Sequence, residues 1–141
     1  MRVGVAASRF NEEIAARLLE RTRAAAKALG VASLVVEQVP GALEIPLALQ
    51  WMAQSGRFDA LVAVGCVIRG DTFHFDVVAN ESARGVMDVA LEFGLPVGNG
   101  ILTTENEQQA MARLDKGAEA LRAAVEMARL HERVKTGEWL K

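Results

Sequence analysis

Gly65-Cys66-Val67-Ile68-Arg69-Gly70-Asp71-Thr72-Phe73-His74-Phe75-Asp76-Val77-Val78-Ala79-Asn80 is the stretch on which the fold turns. In front of it, residues 60–64 are apolar and uncharged, the pattern of a strand buried on both faces of a parallel sheet. Behind it, Ala79, Ala83, Val86, Met87, Ala90 and Leu91 recur at helical spacing. The pattern predicts a strand ending near Val67 and a helix starting near Phe75. Between them stand a glycine, residues able to cap backbone amides, and one of the chain's two histidines. In open α/β sheets, ligands sit beyond the carboxyl ends of strands, where helix N-termini point outward. This loop belongs at that place.

The same alternation recurs on either side. Residues 3–7 read as a first strand, and Ser8-Arg9-Phe10-Asn11 as its loop, with Asn11 as helix N-cap and Glu12 and Glu13 in the first turn. Ile14, Leu18, Ala25, Ala26 and Leu29 mark a helix face that Gly30 closes. Residues 34–39 suit a second strand. Pro40-Gly41-Ala42-Leu43-Glu44-Ile45-Pro46 is a tight turn into a helix that runs to about Ser55 and stops at Gly56. A fourth strand is expected over 96–102, then a capping loop Thr103-Thr104-Glu105-Asn106 and a short helix to Arg113. Lys116-Gly117 opens a last helix with Ala118, Leu121, Val125 and Ala128 on one face, and 135–141 is a polar tail carrying Trp139. Four strand–helix repeats imply a parallel sheet with right-handed crossovers. The expectation is a single domain over 1–141. Its fold would be a three-layer α/β/α sandwich of flavodoxin type on a four-stranded parallel sheet.

Composition narrows the functional classes. With 51% apolar residues in 141, the chain has a core to bury and little reason to be disordered. A net charge of −2 gives no ground to expect nucleic acid. One cysteine excludes an internal disulfide and suits a reducing compartment. No run approaches the ~18 apolar residues of a membrane span. Because a strand begins almost at once, no signal peptide is expected, and the reading is a soluble cytoplasmic protein.

The strand-to-helix loops offer Phe10, Asn11, Gly41, Glu44, Arg69, Thr72, His74, Asn99, Thr104, Glu105 and Asn106 to one sheet edge. The first loop has no glycines, so neither a dinucleotide fingerprint nor a P-loop is present, and two distant histidines with one cysteine make no metal site. His74 suits a general acid or base, against the plainer reading of a packing or capping residue. Phe10 is either a partner contact or a platform for a flat heterocycle. Glu44 either complements a helix N-terminus or bonds ligand hydroxyls. Arg113 taken alone reads as a solvated helix arginine, His131 as a charge near a helix C-terminus, and Cys66 as a small core residue. The convergence of the loop groups on one edge favours a site.

Taken together, Ser8-Arg9-Phe10-Asn11, residues 40–46, residues 65–76, Asn80-Glu81, and Gly100-Ile101-Leu102-Thr103-Thr104-Glu105-Asn106 with Gln109-Ala110 resemble the lumazine synthase family, in its order and over nearly the whole chain. The resemblance implies the penultimate step of riboflavin biosynthesis. There 5-amino-6-ribitylamino-uracil condenses with 3,4-dihydroxy-2-butanone 4-phosphate to give 6,7-dimethyl-8-ribityllumazine, phosphate and water, with no metal or organic cofactor. By the match, Phe10 would stack on the pyrimidine. Gly41, Ala42 and Glu44 would hold the ribityl chain, and Val67 and Ile68 the ring's polar edge. Gly70, Asp71, Thr72 and Arg113 would hold phosphate, and His74 would move protons. Asn99 stands where many members place an aromatic from the neighbouring subunit, and only Leu114 and Asp115 separate Arg113 from Lys116. The implied partners are the two small substrates and further copies of the chain. A homopentamer comes first, a decamer next and a sixty-subunit shell last. Two alternatives keep the same fold: a non-catalytic flavin- or phosphate-binding module, and a shell scaffold without catalysis.

Overall fold

The computed structural model describes residues 1–140. Its strands are β1 (Arg2–Ser8), β2 (Ser33–Val39), β3 (Ala60–Ile68) and β4 (Val97–Thr104). Its helices are α1 (Glu12–Ala28), α2 (Ile45–Gln54), α3 (His74–Phe93), α4 (Glu107–Met111) and α5 (Lys116–Thr136). Short 3₁₀ turns occupy Ala42–Glu44 and Glu138–Leu140. The strands pair in parallel in the order β2-β1-β3-β4, the doubly wound arrangement that the alternation predicts.

The apolar run is β3, which lies between β1 and β4 and is buried along nearly its whole length. Its side chains alternate between two cores, as a pleated strand requires. Val62, Val64 and Cys66 face the layer with Leu18, Leu121 and Val125 from α1 and α5. Leu61, Ala63 and Val67 face the layer with Ile45, Leu49, Val86 and Val89 from α2 and α3. Close packing on the first side depends on Gly117: a Cβ there would strike the carbonyl oxygen of Leu18 and lie 2.8 Å from Thr22 Oγ1.

Several expectations change. The buried stripe of α3 is Val78, Ser82, Val86 and Val89, not the one through Met87 and Leu91, which are 59% and 76% exposed. The helix is apolar on two sides, so periodicity alone could not choose which side meets the sheet. β4 extends through Thr104, because the ladder with β3 continues to Ile68 opposite Thr104. Asn99 is therefore not a loop residue; it lies inside β4, opposite Ala63, short of the carboxyl edge. Asn11 occupies the N-cap position of α1 but does not cap it. Its backbone is left-handed, with φ 58°, and its amide turns elsewhere. Arg113 falls in the turn between α4 and α5. His131 stands more than a turn before the end of α5. Of the expected polar tail, α5 takes the first residues and a 3₁₀ turn follows; Lys141 and the side chain of Trp139 lie outside the described residues.

Candidate active site

At the carboxyl edge of the sheet, the first three strand-to-helix loops enclose a hollow of about 470 Å³. Phe10, Gly41, Ala42 and Glu44 form one wall. Val67, Ile68, Gly70, Thr72 and His74 form the other. Nine of the twelve residues expected at the site thus share one cavity.

Local bonding explains the convergence. The amides of Arg9 and Phe10 donate to the carbonyls of Val39 (2.8 Å) and Pro40 (3.1 Å), joining the first loop to the second. Asn11 Nδ2 donates to the Cys66 carbonyl (3.1 Å), joining it to the end of β3. Phe10 is left 70% exposed at the rim, an aromatic face with nothing to shield it from water. Gly41 is extended, and the Glu44 amide donates back to its carbonyl (3.1 Å), so the 3₁₀ turn carries Glu44 to the cavity just ahead of α2. Val67 and Ile68 end β3. His74 is exposed and opens α3, where the positive end of the helix dipole favours an anion. Its amide donates to Thr72 Oγ1 (3.3 Å), which folds the intervening turn over the helix start.

Ionisable side chains in the lining are Glu44, Cys66 and His74. Burial, with the Glu107 carboxylate a smaller influence, pushes the Cys66 thiol up to about 11. It stays protonated at neutral pH and is no nucleophile. Pro40, Leu43, Cys66, Phe75 and Val78 also line the hollow and were not foreseen as lining residues. Val78 was legible, standing four residues beyond His74 on the same helix face.

Three expected residues stand apart. Asp71 is exposed outside the lining. Asn99 is exposed on β4, its Oδ1 accepting from the Ile101 amide (2.9 Å). Arg113 opens onto a second hollow of about 440 Å³ with Thr103, Thr104, Lys116 and Glu119. Its guanidinium donates to the Gln109 carbonyl (2.9 Å) and stays exposed. The molecule therefore carries two separate hollows: an apolar one with an aromatic rim and a histidine, and one on the turn before α5 where Arg113 and Lys116 stand beside Asp115 and Glu119. Among the described residues no group of three histidine, cysteine, aspartate or glutamate side chains is arranged to hold a metal. No helix there is long and apolar enough to cross a membrane.

Known proteins resemble this chain in sequence. The model of the family described as 6,7-dimethyl-8-ribityllumazine synthase matches residues 1–132. The chain is 54% identical over 135 residues to the 6,7-dimethyl-8-ribityllumazine synthase of Chromobacterium violaceum, covering 94% of this chain and 87% of the relative. It is 53% identical over 133 residues to that of Paraburkholderia phymatum, covering 92% and 77%. With that of Nitrosomonas europaea it shares 55% over 131 residues, covering 91% and 80%.

Proposed function

The chain belongs to the 6,7-dimethyl-8-ribityllumazine synthase family, and from that premise we propose that its two hollows are half-sites that divide the work. It is a transferase that condenses 5-amino-6-ribitylamino-uracil with 3,4-dihydroxy-2-butanone 4-phosphate, releasing phosphate and water. The amine of the first substrate attacks the ketone of the second, phosphate leaves and the new ring closes. The substrate supplies its own nucleophile, so the enzyme's task is to orient, to hold the leaving charge and to move protons. Orientation alone is worth ~7–11 kcal/mol in favourable cases.

The observation that carries the assignment is the hollow of about 470 Å³ with Phe10 at its rim. In our reading Phe10 stacks on the pyrimidine, and the backbone at Val67 and Ile68 bonds its polar edge. The ribityl hydroxyls lie along Gly41, Ala42 and Glu44. The phosphorylated ketone lies toward Gly70, Asp71 and Thr72 at the start of α3, with His74 as proton shuttle. Phosphate bears nearly two negative charges, and the hollow's own lining supplies no lysine or arginine. Arg113 answers that need only if a second copy brings the hollow that holds it to the first, and Asn99 would cover the pyrimidine from the same neighbour. We therefore propose that the active form is a ring, a homopentamer ahead of a decamer or a shell, working in the cytoplasm.

Mixing both substrates with the protein and following lumazine absorbance together with free phosphate tests the assignment. Stoichiometric appearance of both supports it. Binding of both substrates without phosphate release would instead mark a non-catalytic module of the same fold.

A further inference from the structure

Arg69 has no role in the reaction as described, yet it joins three parts of the molecule. It is the first residue after β3, and its amide donates to the Thr104 carbonyl (2.9 Å), extending the β3–β4 pairing by one step. Its Nε donates to Glu105 Oε2 (2.7 Å) in the loop leaving β4. Another nitrogen of the same fork lies 3.6 Å from an Asp76 carboxylate oxygen in the first turn of α3. The guanidinium plane covers the ring of Phe75, 4.5 Å from its centre. Phe75 itself lines the catalytic hollow.

One cation facing two carboxylates is already neutralised, so Arg69 is poorly suited to hold a phosphate itself. What it fixes is geometry. Phe75 and Asp76 follow His74 directly, and Gly70 and Thr72 lie between Arg69 and that helix start. An exposed turn containing a glycine has many conformations, and an anion site works only when its donors are held in one of them. Arginine suits this clamp because its planar fork can bond a carboxylate and stack on a ring at once; a lysine ammonium cannot do both.

We propose that Arg69 is a positioning residue that locks the turn 70–74 and the first turn of α3 into the shape that receives the phosphorylated ketone. The inference rests on assigning that turn to phosphate. Exposed ion pairs contribute little to stability, so the effect should appear in binding and hardly in melting.

The test uses the assembled protein and its Arg69→Lys, Arg69→Ala, Glu105→Gln and Thr72→Ala variants. Inorganic phosphate binding is measured by calorimetry, and KM is measured for each substrate. Arg69→Lys should weaken phosphate and raise KM for the phosphorylated ketone about ten-fold, because small misplacements in an oriented site carry large costs. Arg69→Ala should do at least as much and Glu105→Gln somewhat less, with KM for the uracil and the melting temperature nearly unchanged. Wild-type phosphate affinity in Arg69→Lys beside weakened affinity in Thr72→Ala would overturn the inference and leave the phosphate assignment standing. Unchanged affinity in both would overturn the two together. Equal losses for both substrates with a lowered melting temperature would make Arg69 merely structural and also overturn it.

Discussion

In the proposed mechanism His74 and Arg113 divide the chemistry between them, and their variants should fail in different ways. His74 is the histidine in the hollow, so His74→Ala should lower turnover by ~10-fold or more, the low end of what a proton shuttle contributes. Binding of a product analogue should change much less, and undiminished turnover would remove the acid–base role. Arg113→Ala gives up a charge-assisted bond worth ~1.5–3 kcal/mol, which is roughly ten-fold or more in KM for the phosphorylated ketone. The uracil should bind nearly as before; equal weakening of both would make Arg113 a structural residue. Cys66 is the silent member. With its thiol near 11, thiolate at pH 7 is about two orders of magnitude scarcer than for an ordinary cysteine, and alkylation of the folded protein should slow at least in proportion. The sign of the stability effect follows. Burial holds the folded pKa above the thiol's ordinary value of 9.0, so the contribution is intact below about pH 9 and is lost as pH rises through about 11. Cys66→Ala should flatten that alkaline loss, and an equally steep one would contradict the burial argument. At this scale the sequence was informative about residue types and less so about place. Phe10 could be set on a loop, and Glu44 and His74 close to a helix start, although Glu44 falls in a 3₁₀ turn and His74 is already the first residue of α3. The amide of Asn11 could not be foreseen bonding the Cys66 carbonyl, because that contact spans 55 positions in sequence.

Among the elements, β3 was the most legible, since an unbroken apolar run between loops admits few other readings. Helix α3 was the least, for a reason that matters. Both of its stripes are apolar, and within one chain only the stripe through Val78, Val86 and Val89 is covered. The other, through Met87 and Leu91, is exposed here, as are Leu47 and Trp51 on α2. A pattern rule that assumes one buried face per helix fails wherever a helix has two faces to cover. The end of β4 was misjudged because Thr103 and Thr104 read as a polar capping loop, whereas both pair with β3. Packing between α1 and α5 is tight at one point, where Gly117 lies against the Leu18 backbone. Gly117→Ala should therefore cost about 1–3 kcal/mol, because rigid backbone cannot yield as a side chain would. Chemical denaturation would measure it, and an unchanged midpoint would mean that the two helices are free to separate.

For the whole molecule, the doubly wound sheet is what brings three loops to one edge, and the alternation of strands and helices was enough to anticipate that. The separation of Arg113 from His74 was not legible from spacing, because Arg113 stands in a turn between two helices whose direction is set by packing. Only the fold shows them opening onto separate hollows. A ring built by head-to-tail contacts would bring each Arg113 hollow to its neighbour's apolar hollow and close without free ends. The most direct test of that claim mixes two crippled proteins. His74→Ala and Arg113→Ala are co-expressed in equal amounts, the mixed assemblies are purified, and phosphate release is assayed at low concentrations of the phosphorylated ketone. If the two residues belong to one site through different copies, random mixing in a closed ring rebuilds about a quarter of the sites in full, and activity rises well above the mean of the two parents. Activity equal to that mean would place both residues in the same copy's site and contradict the shared-site account.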